Sequence, residues 1–271
     1  MNFHRSSIGS NSGPSSQCLT ATTRLAIITD MNEASKTRKL WSEQLIRTVF
    51  TGAGLDIGCG SDPIFPSVTC FDKQQGDANW ILDIVSEEFD FVFASHVLEH
   101  MIDPRKSIVD WYRLVKPGGH LVILVPDEDL YEQGAWPSMF NADHKWTFTI
   151  SKNLSWSPRS INLYELAETL GGNIVSLEVQ DNGYDRRLQR FGPSVMQRQK
   201  TESLVRFVDR HPRFLLQLSI TRVIVRALAG LGFFIDQTAF HEGRLAQIQL
   251  IIRKPLYRTS MKGGSSDLNG E

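Results

Sequence analysis

Short apolar runs that end on a glycine or an acid recur through the first half of the chain, separated by segments of helical periodicity. Gly54-Leu55-Asp56-Ile57 stops at Gly58 and Gly60, as a buried central strand of a parallel sheet does. Thr69-Cys70-Phe71-Asp72 and Asn79-Trp80-Ile81-Leu82-Asp83-Ile84 follow, each with an acid at or near its end. Phe89 to Ser95 and His120 to Pro126 read as a fourth and a fifth strand, and residues 174–179 and 245–252 as a sixth and a seventh. Leu40, Trp41, Leu45, Ile46, Val49 and Phe50 recur at helical spacing, which predicts a helix over residues 30–50 capped by Asp30 or Asn32. Pro104 opens another helix, which the turn Lys116-Pro117-Gly118-Gly119 ends, and residues 160–170 form a third, stopped by Gly171-Gly172. Strands alternating with helices predict an α/β, doubly wound sheet.

In such sheets a ligand sits at the carboxyl ends of the strands, where the strand order reverses. Gly58 and Gly60 let the backbone turn sharply there and approach a ligand. A dinucleotide is disfavoured: its site needs a third glycine and a helix beneath the pyrophosphate. Here Gly60 is followed by Ser61-Asp62-Pro63, with Pro66 soon after. The stretch before Asp72 is too short and proline-broken for a full crossover helix. A zwitterionic, phosphate-free ligand fits better.

The ordered pieces LDIGCG, FD, LD, FDFVFASHVLEHMIDP and LVKPGGHLVILVP make the stretch from Gly52 to Pro126 resemble the class I S-adenosylmethionine-dependent methyltransferases. The resemblance implies a Rossmann-like, seven-stranded doubly wound sheet with an antiparallel last strand, and S-adenosyl-L-methionine as cofactor. It places Asp56, Gly58 and Gly60 against the methionine and ribose, and Asp72 on the ribose hydroxyls. Asp83 falls on the adenine amine with Ile84 packed on the ring, and Ser95 completes the set at the end of the fourth strand. The short GCGSDP loop is similar to that of enzymes acting on surface glycans and secondary metabolites, which implies a small-molecule or glycan-like acceptor.

The chain of 271 residues has a net charge of −1, which leaves no global footprint for nucleic acid. Three cysteines, Cys18, Cys59 and Cys70, are too few for a disulfide scaffold and point to a reducing, cytoplasmic setting. Residues 1–23 and 259–271 are polar and are expected to be disordered tails around a domain at 24–258. Two insertions enlarge that domain. Residues 127–160 are aromatic, and residues 185–242 are helical and basic, with ten Arg or Lys against three acids between Asp185 and Arg226. Arg222 and Arg226 interrupt the apolar stretch 214–235, which argues against a spanning helix. An amphipathic lid over the active site is the favoured reading, with peripheral membrane contact as its alternative.

Transfer of a methyl group to a hydroxyl needs a held acceptor and a group that takes its proton. His96 follows the fourth strand, and His144 sits among aromatics beside Asp143. His144 is the preferred base and His96 the alternative. His96, Glu99 and His100 could also share a helical face and, with His144, form a four-ligand metal set. No spacing rule selects that set, so no metal is assigned. The function expected is methylation, on oxygen, of a small-molecule or glycan-like acceptor. A non-catalytic scaffold, or an RNA or lipid-linked acceptor, is the alternative.

Overall fold

A computed structural model describes residues 33–210, 221–240 and 244–256. The expected tails, the Asp30 cap and part of the apolar stretch 214–235 lie outside these residues. The central sheet has six strands: β1 (Gly54–Ile57), β2 (Thr69–Phe71), β3 (Phe89–Ser95), β4 (Val115–Pro126), β7 (Asn173–Gln180) and β8 (Gln247–Arg253). A separate parallel pair, β5 (Thr147–Thr149) and β6 (Ser160–Asn162), lies in the first insertion. The order in the main sheet is β2-β1-β3-β4-β8-β7. The first four strands run parallel, and β8 is antiparallel to both neighbours, as the family resemblance implies.

The sheet therefore has six strands rather than seven among the described residues. The expected third strand is the 3₁₀ turn Ala78–Asp83. Its backbone is used by side chains instead of a ladder partner. Asp77 accepts from the Asn79 N–H, and the Trp111 indole donates to the Ala78 carbonyl. The helix expected over 30–50 is two helices, α1 (Glu33–Arg38) and α2 (Glu43–Val49). Ser42 starts the second by accepting from the Leu45 N–H, a cap that interrupts the apolar period. The helix α3 (Pro104–Arg113) begins at Asp103, whose carboxylate accepts from the Arg105 and Lys106 N–H groups, with Pro104 in its first turn. Lys116-Pro117-Gly118-Gly119 belongs to β4 rather than to a turn before it. Residues 160–162 are β6, so that helix is shorter than expected: α4 (Leu163–Glu168).

Alternation along the strands divides the core into two layers. Val92, Ala94, Leu121 and Ile123, with Ile248, Leu250 and Ile252 of β8, face the layer that holds Ile108 and Trp111 of α3. Phe91, Phe93, Val122, Leu124 and Ile251 face the other layer, which holds Trp41 and Val49. Glutamines stand among the apolar residues on this second face. The Trp41 indole donates to Gln249 Oε1 at 2.6 Å, and Gln247 donates to Gln180 and Thr37 at 2.7 and 2.9 Å. These buried amides are thereby paired, and α1 and α2 are fixed on the sheet.

The basic insertion contributes α5 (Val195–Arg210), α6 (Thr221–Gly230) and α7 (Gln237–Phe240). Phe234 packs with Ala135 and Met139 of the first insertion, and Gln133 donates to the Ile235 carbonyl at 2.8 Å. The two insertions thus form one layer. Several of its cations are already paired: Arg186 with Asp181, Arg187 with Asp185 and Arg198 with Glu202. The basic bias is partly internal. No helix among the described residues is long and apolar enough to cross a membrane.

Candidate active site

The strand order reverses at β1, whose neighbours β2 and β3 lie on opposite sides. Ile57 is in register with Phe71 on one side and Ala94 on the other. The next residues, Gly58, Asp72 and Ser95, therefore emerge side by side at the carboxyl edge. Gly58 has a φ of 77°, and a Cβ there would lie 2.3 Å from Val97 Cγ2, so only glycine fits. Gly60 has a φ of 51° and faces open space. Its N–H donates to Asp72 Oδ2 at 2.8 Å, while the Lys73 N–H donates to Oδ1 at 2.6 Å. An ionised carboxylate has about four lone-pair sites, so Asp72 keeps capacity for a ligand's hydroxyls.

Asp56 lies beneath this edge rather than on it, 1% exposed, and accepts from the Ile64 N–H at 2.7 Å. It braces the glycine loop. Burial raises its pKa, the Ile64 N–H opposes this, and the charges of Asp62 and Asp72 add to a rise that reaches about 7. Asp62 in turn accepts from the Ser35 N–H and hydroxyl, tying α1 to the loop. Ser95 Oγ is buried without a hydrogen-bond partner. Asp83 and Ile84 end the 3₁₀ turn and are exposed. Ile84 reaches back to the loop after β2: a Cβ on Gly76 would lie 2.2 Å from its Cδ1.

A second group of polar side chains follows β3 directly. His96 has a φ of 54°, a left-handed conformation that costs a non-glycine residue of the order of 1 kcal/mol or more. Its Nε2 lies 3.0 Å from Gln247 Oε1, and its Nδ1 3.5 Å from Glu99 Oε1. Burial would lower the His96 pKa, but the neighbouring Glu99 outweighs it and lifts the value to about 9. Glu99 is fully buried. Burial opposes its ionisation, but His96, His144 and His100 overcome that penalty and hold its pKa below the usual value. His144 is buried too, with Nδ1 2.7 Å from Glu132 Oε1 and its ring 5.3 Å from that of Tyr131. His100 Nδ1 lies 3.1 Å from the Asp143 carbonyl oxygen.

The fold thus brings His96 and His144 to one cluster around Glu99. Glu132 and Gln247 belong to it and were not selected from the sequence. Glu132 lies 12 residues before His144, at the end of a π-helical turn, Glu128–Glu132, which no periodicity announces. Gln247 sits on β8, 151 residues from His96, and only the strand order joins them. The one signal available was the run of acids Asp127-Glu128-Asp129 and Glu132 at the end of a buried strand.

A family model described as a methyltransferase domain matches residues 34–177, more than half of the chain. The chain belongs to this methyltransferase family. Among solved structures, the methyltransferase is similar to an S-adenosylmethionine-dependent methyltransferase of Thermotoga maritima at 15% identity, covering 86% of this chain and 94% of that one, with a TM-score of 0.41. The YcgJ protein of Bacillus subtilis matches at 14% identity over 83% and 98% of the two chains, TM-score 0.43. Phosphoethanolamine N-methyltransferase 2 of Haemonchus contortus, in complex with S-adenosyl-L-methionine, matches at 18% over 78% and 51%, TM-score 0.39. Similarity at this level carries no acceptor over to this methyltransferase. No curated protein matches it. S-adenosyl-L-methionine is the cofactor, and the carboxyl edge fits it: an open Gly60, spare acceptor capacity on Asp72 and an unpartnered Ser95 hydroxyl.

Proposed function

We propose that this methyltransferase methylates a hydroxyl of a small-molecule or glycan-like acceptor. The cofactor, when bound, supplies an electrophilic methyl group. Gly58 and Gly60 would admit its methionine and ribose, Asp72 would accept from the ribose hydroxyls, and Asp83 and Ile84 would flank the adenine. Asp56 acts from below by holding the loop in shape, and Ser95 offers its hydroxyl at the pocket edge. The acceptor would lie over residues 95–100, under the layer made by the two insertions.

The observation that carries this reading is the Glu132–His144 pair at 2.7 Å within a buried cluster just beyond Ser95. A carboxylate on Nδ1 fixes the ring and leaves Nε2 directed at the cluster. His144 Nε2 lies 3.9 Å from Glu99 Oε1. The acceptor's proton passes to this cluster, at His144 rather than His96. Both nitrogens of His96 already face partners, Gln247 on one side and Glu99 on the other. The free cysteines Cys59 and Cys70 suit a reducing cytoplasm.

Incubating cell extracts with cofactor carrying a labelled methyl group tests the acceptor class. Label is expected in small molecules or glycans, on oxygen and stable to mild alkali. Label confined to RNA, protein or lipid would overturn the acceptor assignment, and no transfer to any fraction would favour a scaffold.

A further inference from the structure

Glu99 is a fully buried carboxylate with no hydrogen-bond partner of good geometry on either oxygen. That is costly unless something else compensates the charge. His96 Nδ1 approaches Oε1 to 3.5 Å from one side. Two further imidazole nitrogens face the same oxygen at a distance too long for a hydrogen bond: His100 Nε2 and His144 Nε2, both at 3.9 Å. Ligand atoms of Glu99, His100 and His144 all lie within 4.8 Å of one another.

The far side of each of these two rings is committed. His144 Nδ1 is held by Glu132 Oε1 at 2.7 Å, and His100 Nδ1 by the Asp143 carbonyl at 3.1 Å. A carbonyl only accepts, so His100 carries its proton on Nδ1 and turns the Nε2 lone pair toward Glu99. The same tautomer of His144 follows from its carboxylate partner. A histidine whose outer N–H is anchored by a carboxylate or carbonyl is the usual arrangement around a bound metal. His96 does not share it, because its Nε2 is turned to Gln247. The four-ligand set considered from the sequence is thus reduced to three.

We propose that Glu99, His100 and His144 bind a divalent transition ion of the zinc class, with Glu132 and Asp143 as the groups that orient the two histidines. Two imidazoles and one carboxylate suit zinc, whereas magnesium and calcium take oxygen ligands. Three protein ligands leave part of the coordination sphere for an oxygen ligand. That consequence rests on the acceptor placement proposed above, and an acceptor hydroxyl is its natural occupant. With the ion bound, the His144 lone pair is engaged, so the ion would lower the pKa of the acceptor hydroxyl and its proton would pass to solvent. His144 takes that proton only when the site holds no ion.

The test uses the full chain, stripped with a chelator and titrated with Zn²⁺ by calorimetry, without cofactor. One equivalent should bind, and Mg²⁺ should not compete at similar concentration. Glu99→Gln and His144→Ala should weaken binding by about a hundredfold, and Glu132→Gln by about tenfold. His100→Ala, at a half-buried position, guards against misfolding of the buried variants and should also lose about a hundredfold. Substitution with Co²⁺ should give visible absorption bands in wild type that the His100 variant lacks. Failure of wild type to bind Zn²⁺, or equal binding by folded His100→Ala, would overturn the site. Titration with S-adenosylhomocysteine on the same samples separates the two proposals: cofactor binding without zinc sinks only the ion, and zinc binding without cofactor sinks only the methyltransferase site.

Discussion

Asp56 shows how one residue's surroundings set a property that its type does not. An unperturbed carboxyl titrates near 3.8, but burial beneath the glycine loop lifts Asp56 to about 7. The folded chain then binds this proton more tightly than the unfolded chain. Stability from this group is full below the unfolded value and is lost progressively as pH rises from there to about 7. The difference is of the order of 4 kcal/mol at most. Between about pH 5 and about pH 8, Tm should fall for wild type and fall much less for Asp56→Asn. Equal losses in the two chains would contradict the assignment. The positions of Gly58, Gly60 and Asp72 were legible in the sequence because a strand end followed by a turn defines them locally. The partners of His96 and His144 were not, since Gln247 and Glu132 reach them only through the strand order and a π turn.

At the scale of elements, the pattern of apolar runs located β1, β2, β3, β4, β7 and β8. It failed where side chains take over the backbone. Asn79 to Ile84 is apolar enough for a short buried strand, yet Asp77 takes the Asn79 N–H and Trp111 the Ala78 carbonyl, and the segment forms a 3₁₀ turn. Ser42 splits the first helix for the same kind of reason. The layer formed by the insertions depends on Phe234, which is 3% exposed and packs on Ala135 and Met139. Phe234→Ala should cost about 3 kcal/mol locally and loosen this layer. Turnover should drop at least severalfold while the affinity for S-adenosylhomocysteine, measured by calorimetry, stays within about threefold. Loss of cofactor binding in that variant would show that the layer supports the cofactor site instead.

At the scale of the molecule, the order β2-β1-β3-β4 places a glycine loop, the strand-end acid Asp72 and a buried histidine–carboxylate cluster along one carboxyl edge. The proposed cofactor half of that edge and the proposed acceptor half are separate in sequence and adjacent in space. Composition indicated neither half, because a net charge of −1 excludes little beyond a broad nucleic-acid surface. The central claim is that the edge holds the cofactor through Asp72. Calorimetric titration with S-adenosylhomocysteine tests it most directly. Wild type should bind at a single site, and Asp72→Ala should bind at least about tenfold more weakly, since hydrogen bonds to a charged group are lost. An absence of binding heat in wild type, or an unchanged affinity in Asp72→Ala, would contradict the claim.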